Sequence, residues 1–241
     1  MERLGLYTDS ERPLTQAELA RARDLVGRRG RREPVAYLTG ERAFRRVRLS
    51  VGPGVLVPRP ETELLVEWAL EVAAPGAAVL DWGTGSGALA IALATEGDGL
   101  RVTAIDRSAD AVGIARANAG RAGAAVELLV SDGFAALEGR RFDAVVANPP
   151  YLSDADLAAA PPELGFEPEG ALVAGPTGLE AIAGIAREAP EHLSAGGWLL
   201  IEVGAGQASA VEEALRAAGA ADVGHRDDLA GIARAVGGRF G

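Results

Sequence analysis

The feature that most constrains the fold is a cluster of glycines at residues 83–87, placed between an apolar run and an alanine-rich helical pattern. The apolar run, residues 77–82, predicts a buried strand, and the helix begins directly after the glycines. Glycine permits a tight turn and lets a ligand approach the backbone closely. A strand, a glycine turn and a helix in this order are typical of the ligand-binding unit of open α/β sheets.

The chain beyond residue 77 continues this alternation of strands and helices. Strands are predicted at 77–82, 101–106, 125–130, 142–147, 197–203, 221–226 and 232–239. Helices are predicted at 86–96, 108–120, 178–192 and 207–218. The pattern predicts a Rossmann-like α/β fold, in which a doubly wound and mainly parallel sheet of seven strands has an antiparallel edge near the C-terminus.

The first sixty residues follow a different plan. Thr15 and Glu18 form a capping-box pattern, which predicts a helix that runs to about Arg29. Alternation over residues 43–51 predicts a strand or hairpin arm, and a helix is expected from about Glu61 to Val72. We therefore divide the chain into a short N-terminal helical segment, a β-hairpin with its linker, and an α/β domain, at residues 1–40, 41–56 and 57–241.

Composition excludes several kinds of chemistry. The chain has no cysteine and no lysine, which removes thiolate nucleophiles, lysine Schiff bases and the Walker lysine, and no metal site is expected. A formal net charge of −10 argues against stable binding to nucleic acid. The sequence contains no long apolar run and no signal pattern, so we expect a cytoplasmic protein without a membrane contact.

A second chemical motif stands where the strand predicted at 142–147 ends. Asn148 is followed by Pro149, Pro150 and Tyr151, and the prolines end the hydrogen-bond ladder and stiffen the corner. A planar NH2 group fits this corner, because the Asn148 side chain and a proline carbonyl accept its two hydrogens while the tyrosine ring packs on its plane. The alternative is an ordinary turn at a strand end.

Acidic residues close three consecutive strands beside the glycine turn and indicate the ligand. Asp81, inside the first strand, is placed to receive an ammonium group directly or through water, which favours S-adenosylmethionine over a dinucleotide. Asp106 can accept from both hydroxyls of a ribose, Asp132 from an adenine amino group, and Phe134 can pack on the base. The expected cofactor-binding residues are Asp81, Gly83, Thr84, Gly85, Ser86, Gly87, Asp106, Asp132, Gly133, Phe134 and Asn148.

Together these segments resemble the release factor glutamine methyltransferases. The resemblance rests on residues 32–40, 56–63, 79–87 and 148–151, with further likeness at 166–168, 171–172, 200–202 and 228–231. It implies transfer of a methyl group from S-adenosylmethionine to N5 of the glutamine in the Gly-Gly-Gln loop of class I peptide chain release factors, with an N-terminal segment that helps dock the substrate. We separately expect the protein to be a monomer. Asn148, Pro149 and Tyr151 would be catalytic, and Pro150, Pro58 and Arg59 would join them in binding the substrate.

Two departures from that family and two rival activities bear on this interpretation. The N-terminal part is shorter by about a couple of helices, and Gly133 stands where a large aromatic residue is common. The alternatives are a ribosomal-protein glutamine methyltransferase and, from a different class, an adenine-N6 nucleic-acid methyltransferase; a non-enzymatic cofactor-binding module is a third.

Residues 152–177 are expected to shape the substrate entrance. The arginines at 28–32 are interpreted as a solvated helix end, or else as a docking patch for an acidic or RNA-bearing partner.

Overall fold

A seven-stranded sheet organises the molecule, whose computed structural model describes residues 12–241. Its strands are β3 (Ala78–Trp82), β4 (Arg101–Asp106), β5 (Val126–Val130), β6 (Phe142–Ala147), β9 (Leu193–Glu202), β10 (Ala220–Asp227) and β11 (Ala233–Phe240). They lie in the order β10-β11-β9-β6-β3-β4-β5. The chain runs outward from β3 through β4 to β5 and then returns to the other side of β3, which creates a topological switch point at the centre of the sheet.

The strand directions confirm the predicted mixed sheet. The pairings among β9, β6, β3, β4 and β5 are parallel, whereas β11 pairs antiparallel with both β9 and β10. All parallel strands therefore present their carboxyl ends at one edge. That edge is where open α/β sheets bind their ligands.

Helices cover both faces of this sheet. The helices of the chain are α1 (Gln16–Gly30), α2 (Val35–Thr39), α3 (Glu63–Val72), α4 (Ala88–Glu96), α5 (Ala109–Ala122), α6 (Asp154–Ala159), α7 (Glu180–Glu188) and α8 (Ala208–Ala217). Successive strand residues enter different cores: Val79 packs with α3, α4 and α5, while Leu80 packs with α7 and α8. Burial on both faces explains why these strands read as continuous apolar runs.

The N-terminal elements agree with the predicted helix and hairpin. The capping box is formed, with Thr15 accepting from the Glu18 backbone and the Glu18 carboxylate accepting in return. The hairpin consists of β1 (Glu41–Phe44) and β2 (Val47–Ser50). The arginines at 28–32 are largely engaged in ion pairs within the chain, because Arg28 contacts Glu33 while Arg29 and Arg32 both contact Glu163.

The segment 152–177 is folded and lies across the carboxyl edge. It contains the short parallel strands β7 (Leu152–Ser153) and β8 (Val173–Gly175), the helix α6 and two 3-10 turns. Its buried Glu167 accepts from Arg59 Nη2 at 2.5 Å and from the Val57 amide at 2.8 Å. Between residues 12 and 241, no helix combines the length and apolar character needed to span a membrane.

Candidate active site

A cavity of about 500 Å³ opens at the carboxyl edge, next to the switch point. The residues that follow four neighbouring strands meet in its wall: Gly83, Thr84, Gly85 and Ser86 after β3, Asp106 at the end of β4, Asp132 and Gly133 after β5, and Asn148 and Pro150 after β6. The opposite wall comes from the 54–62 segment and the 168–174 segment. The edge thus collects most of the side chains that the sequence marked as cofactor-binding.

The glycine turn at 83–87 adopts a conformation that side chains oppose. Gly83, Gly85 and Gly87 have φ angles of 74°, 54° and 86°, in the left-handed region. A Cβ at Gly83 or Gly85 would meet no atom within 4 Å, so the turn leaves room for a ligand against its backbone. A Cβ at Gly87 would lie 3.3 Å from the Cα of Ala115, so this glycine lets α5 pack closely.

Asp106 shapes the turn and faces the cavity. Its Oδ2 accepts from the Gly85 amide at 2.9 Å, and its Oδ1 accepts from the Ser108 amide at 2.9 Å. Each carboxylate oxygen has a second lone pair, so both can also accept from vicinal hydroxyls. Asp132 is exposed on the same wall, and Gly133 beside it has a φ of 55°.

Asp81 lies behind the glycine turn and does not line the cavity. Its Oδ2 accepts from Thr84 Oγ1 at 2.6 Å and from the Ala90 amide at 3.1 Å, while Oδ1 has no partner among residues 12–241. Burial raises the pKa of this carboxyl to about 7, against the effect of the Thr84 hydrogen bond. Asp81 therefore organises the turn from behind, and a contact with a ligand needs an intermediary such as water.

Phe134 corrects one expectation. Its ring is buried in the core and stacks on His192, with centroids 4.7 Å apart and planes at 8°. It does not line the cavity, so the prediction that it packs on a ligand base is wrong. The 3-10 turn that begins at Ala135 aims the ring into the sheet-facing core. Among residues 12–241, the aromatic side chain in the cavity wall is that of Trp82, to which the sequence analysis gave no role.

Asn148 stands where the first cavity meets a second one of about 410 Å³. Its Nδ2 donates to Thr62 Oγ1 at 3.1 Å, which leaves Oδ1 as the group able to accept. Thr62 is buried in a 3-10 turn directly before α3. Sequence reasoning missed this residue, and the signal that could have found it is its place inside the 56–63 segment of the family resemblance.

The residues after Asn148 divide between the core and the two cavities. Pro149 is buried, Pro150 lines the first cavity and Tyr151 lines the second. The Tyr151 carbonyl accepts from Gln207 Nε2 at 2.9 Å, so Gln207 is a further residue, unmarked by the sequence, that fixes this corner. Burial raises the pKa of the Tyr151 hydroxyl to about 12, which keeps it protonated near neutral pH.

The second cavity lies beside the hairpin linker. Its wall includes Arg59 and Tyr151 together with Arg29, Pro34, Val35, Ala36, Arg42, Leu56, Val57, Asn148, Leu152, Glu163, Leu164, Glu167, Ala171 and Leu172. Leu56, Asn148 and Ala171 line both cavities, so the two spaces adjoin at the asparagine. Arg59 faces this second space, whereas Pro58 faces the first.

The fold, with its cavity at the carboxyl edge, is one that methyltransferases share. The Methyltransferase small domain family matches residues 60–161. The fold is similar to that of a methyltransferase from Pyrococcus furiosus, with a TM-score of 0.64 and 18% identity over 89% of this chain and 98% of that chain. It is also similar to a 16S rRNA methyltransferase from T. thermophilus in complex with AdoMet and guanosine, with a TM-score of 0.62 and 20% identity over 83% of this chain and 50% of that chain.

The particular family follows from the curated relatives. The release factor glutamine methyltransferase of Geobacter sulfurreducens is 44% identical over 100% of this chain and 85% of its own length. That of Burkholderia pseudomallei is 47% identical over 99% of this chain and 87% of its own length. The PrmC N-terminal domain family matches residues 1–40, of which 1–11 lie outside the described part. This protein belongs to the release factor glutamine methyltransferase family.

Proposed function

We propose that this protein transfers a methyl group from S-adenosylmethionine to the side-chain nitrogen of the glutamine in the Gly-Gly-Gln motif of class I peptide chain release factors. The observation that carries the proposal is the position of Asn148. Its carboxamide lies between two adjoining cavities and keeps its oxygen free of the Thr62 contact. A cofactor on one side and an amide side chain on the other would meet at this oxygen.

The residues around the first cavity fit S-adenosylmethionine. The open space over Gly83 and Gly85 accepts a ligand against the backbone, and Asp106 has lone pairs for the two ribose hydroxyls. Asp132 and Gly133 would lie along the base, while the unpartnered Asp81 Oδ1 would attract the ammonium group through water. When bound, the cofactor supplies a sulfonium methyl that is already activated toward a nucleophile.

The chain's own residues would overcome the weak nucleophilicity of the amide nitrogen. Asn148 Oδ1 and the Pro149 carbonyl would accept the two hydrogens of the substrate NH2 and aim its nitrogen at the methyl group. The same two acceptors would stabilise the positive charge that develops on nitrogen. Positioning of this kind is worth about 7–11 kcal/mol in the most favourable cases. The proton can leave to solvent, so no strong base is required.

The second cavity supports access by a protein side chain. It reaches Asn148 from the side of Arg59 and Tyr151, and the folded 152–177 segment forms part of its wall. We propose that the glutamine enters here with Tyr151 packing on its side chain and Pro58 and Arg59 contacting the substrate nearby. The protein would act as a cytoplasmic monomer without stable nucleic-acid binding, for which a net charge of −10 is unfavourable. The division into segments 1–40, 41–56 and 57–241 stays a prediction.

Substrate choice is tested with isotopically labelled S-adenosylmethionine. The protein is incubated separately with a class I release factor, the same factor with its Gly-Gly-Gln glutamine changed to alanine, total ribosomal protein and DNA. We expect label only in the release factor that keeps its Gly-Gly-Gln glutamine, and mass spectrometry should place the methyl group on that glutamine. Label in a ribosomal protein or in DNA, with none in the release factor, would replace the proposal with one of the rival activities.

A further inference from the structure

Two buried residues outside the Asn148–Tyr151 motif, Thr62 and Glu202, lie close to the Asn148 side chain. We infer that Thr62 and Glu202 are positioning residues for the methyl transfer, because they hold the Asn148 carboxamide with its oxygen toward the substrate. This inference rests on the proposed function of Asn148. It adds to that function the two residues that set the orientation of the Asn148 carboxamide.

The sheet register brings the three side chains together. Strands β6 and β9 are parallel neighbours, and Ala147 pairs with Ile201. Asn148 and Glu202 each follow these paired residues, so both stand at the same carboxyl edge. Thr62 precedes α3, which packs against both strands. Thr62 and Glu202 are 3% and 2% exposed, so water does not compete for their hydrogen bonds.

The donors and acceptors of Asn148, Thr62 and Glu202 fix which way each hydrogen bond points. Asn148 Nδ2 donates to Thr62 Oγ1 at 3.1 Å, so the hydroxyl oxygen already serves as an acceptor. The hydroxyl proton then needs an acceptor, and the neighbouring Glu202 carboxyl provides one: burial raises the pKa of Glu202, and a hydrogen bond from Thr62 acts against that rise. Glu202 Oε2 has no hydrogen-bond partner in the part of the chain that is described, so the carboxyl group keeps free capacity to accept.

The orientation of the Asn148 carboxamide matters because the substrate NH2 group is a hydrogen-bond donor. With Nδ2 held by Thr62, Asn148 presents Oδ1, which accepts from the incoming NH2. A flipped carboxamide would present its own NH2 to the substrate NH2, and two donors repel. An ionised Glu202 accepts only, which leaves the Thr62 oxygen to Asn148. A protonated Glu202 can instead donate to that oxygen, and the Thr62 proton is then free to point at Asn148, which favours the flipped carboxamide.

The groups around Glu202 place its titration near neutral pH. Burial raises its pKa to about 7, with Glu61 acting in the same direction and Arg234 and Arg59 acting against it. The Tyr151 hydroxyl, whose own pKa is raised further by Glu202, completes the surroundings. The ionised form, which supports the productive carboxamide orientation, is therefore gained as the pH rises through about 7.

The test compares Thr62→Val, Thr62→Ser and Glu202→Gln with the unchanged protein, using release factor as the substrate and saturating S-adenosylmethionine. Valine keeps the shape of threonine without its hydroxyl, so we expect kcat to fall about tenfold, as for one lost hydrogen bond. Serine keeps the hydroxyl and should remain within about twofold. The unchanged protein should gain kcat as the pH rises from 6 to 8, and Glu202→Gln should lose this dependence. Cofactor affinity, measured by calorimetry, should stay constant in all three variants.

Three results would overturn the inference. One is a kcat of Thr62→Val equal to that of the unchanged protein; another is a loss in Thr62→Val that serine shares. The third is a pH dependence of kcat that persists in Glu202→Gln, a measurement that decides the matter even if Thr62→Val does not fold.

Asn148→Ala separates this inference from the proposed function. If that variant is impaired while the Thr62 and Glu202 variants are normal, only the positioning role fails; if it is fully active, the proposed function fails first.

Discussion

At the scale of single residues, the site is built from buried polar atoms whose pairing is incomplete. Asp81 Oδ1, Glu202 Oε2 and Trp82 Nε1 have no hydrogen-bond partner within residues 12–241. Each belongs to a residue that ends a strand of the parallel sheet or stands one position before its end. Buried polar atoms without a partner lower the stability of the fold, and they are often found where a site needs an electrostatic field or a contact to a ligand.

The buried carboxyl groups of Asp81 and Glu202 make the free energy of unfolding depend on pH. Their folded-state pKa values are raised to about 7, so the folded protein binds protons more tightly than the unfolded chain does. Stability should therefore fall as the pH rises from about 5 to 7, by on the order of 3 kcal/mol for each group. Urea unfolding across this range measures the slope. Glu202→Gln should reduce it, and an unchanged slope in that variant would contradict the assignment.

Trp82 offers an optical signal for cofactor binding. Of the three tryptophans, Trp82 lines the first cavity, while Trp68 and Trp198 contact one another in a hydrophobic core. Addition of S-adenosylmethionine should therefore change the intrinsic fluorescence, and the change should be lost in Trp82→Phe. Trp198→Phe is the matched control and should keep it. A signal that follows Trp198 instead would place the cofactor elsewhere.

At the scale of elements, short turns decide where the strands deliver their side chains. The turn at 83–87 depends on three left-handed glycines, and the corner after β6 depends on prolines and on Gln207. On the other side, Asn118 of α5 donates to the carbonyls of Ser50 and Ser86, which ties the hairpin to the glycine turn. The cavity is therefore set by contacts between elements that are far apart in sequence.

Gly87→Ala tests the glycine turn. The φ of 86° is strained for alanine, and the new Cβ would lie 3.0 Å from Ile91 Cδ1 and 3.2 Å from Ala115 Cβ. We expect a loss of about 1–3 kcal/mol in the free energy of unfolding and weaker cofactor binding. Gly113→Ala in α5, where a Cβ meets nothing within 4 Å, should instead stabilise the helix by about 0.4–1 kcal/mol. Equal effects of the two changes would argue against this account.

The sequence predicted the elements well and their cross-contacts poorly. Strand and helix alternation, the hairpin and the capping box are recorded in local spacing, and the structure confirms them. The Thr62–Asn148 and Gln207–Tyr151 hydrogen bonds span 86 and 56 residues, and no local pattern encodes them. Phe134 shows the same limit: its place beside the cavity loop was predictable, but the direction of its ring depends on packing against His192.

At the scale of the whole molecule, the N-terminal elements and the 152–177 segment enclose the edge of the sheet. Arg59, which precedes α3, contacts the buried Glu167 of this segment, and Arg29 and Arg32, at the end of α1 and just after it, contact its Glu163. These ion pairs surround the second cavity. The shape of the second cavity, which we propose as the substrate entrance, therefore depends on the relative placement of three parts of the chain.

Arg59→Ala tests this enclosure. The change leaves the buried Glu167 carboxylate with only the Val57 amide as a partner, and because Arg59 itself is about a third exposed we expect a cost of about 1–3 kcal/mol. KM for the release factor should rise, while affinity for S-adenosylmethionine should change little. Arg48→Ala is the control, since Arg48 is exposed and lies 3.7 Å from Glu41. A KM for Arg59→Ala equal to that of the control would remove Arg59 from the entrance.

The proposed role of the Asn148 carboxamide is to orient the substrate nitrogen, and the kcat of Asn148→Ala tests this role most directly. Release factor methylation is followed at saturating S-adenosylmethionine, with cofactor binding measured separately by calorimetry. We expect kcat to fall about 10²–10³-fold, as when one preorganised hydrogen-bonding group is removed from other active sites, with cofactor binding retained. Turnover within a few-fold of the unchanged protein, together with intact cofactor binding, would contradict the claim.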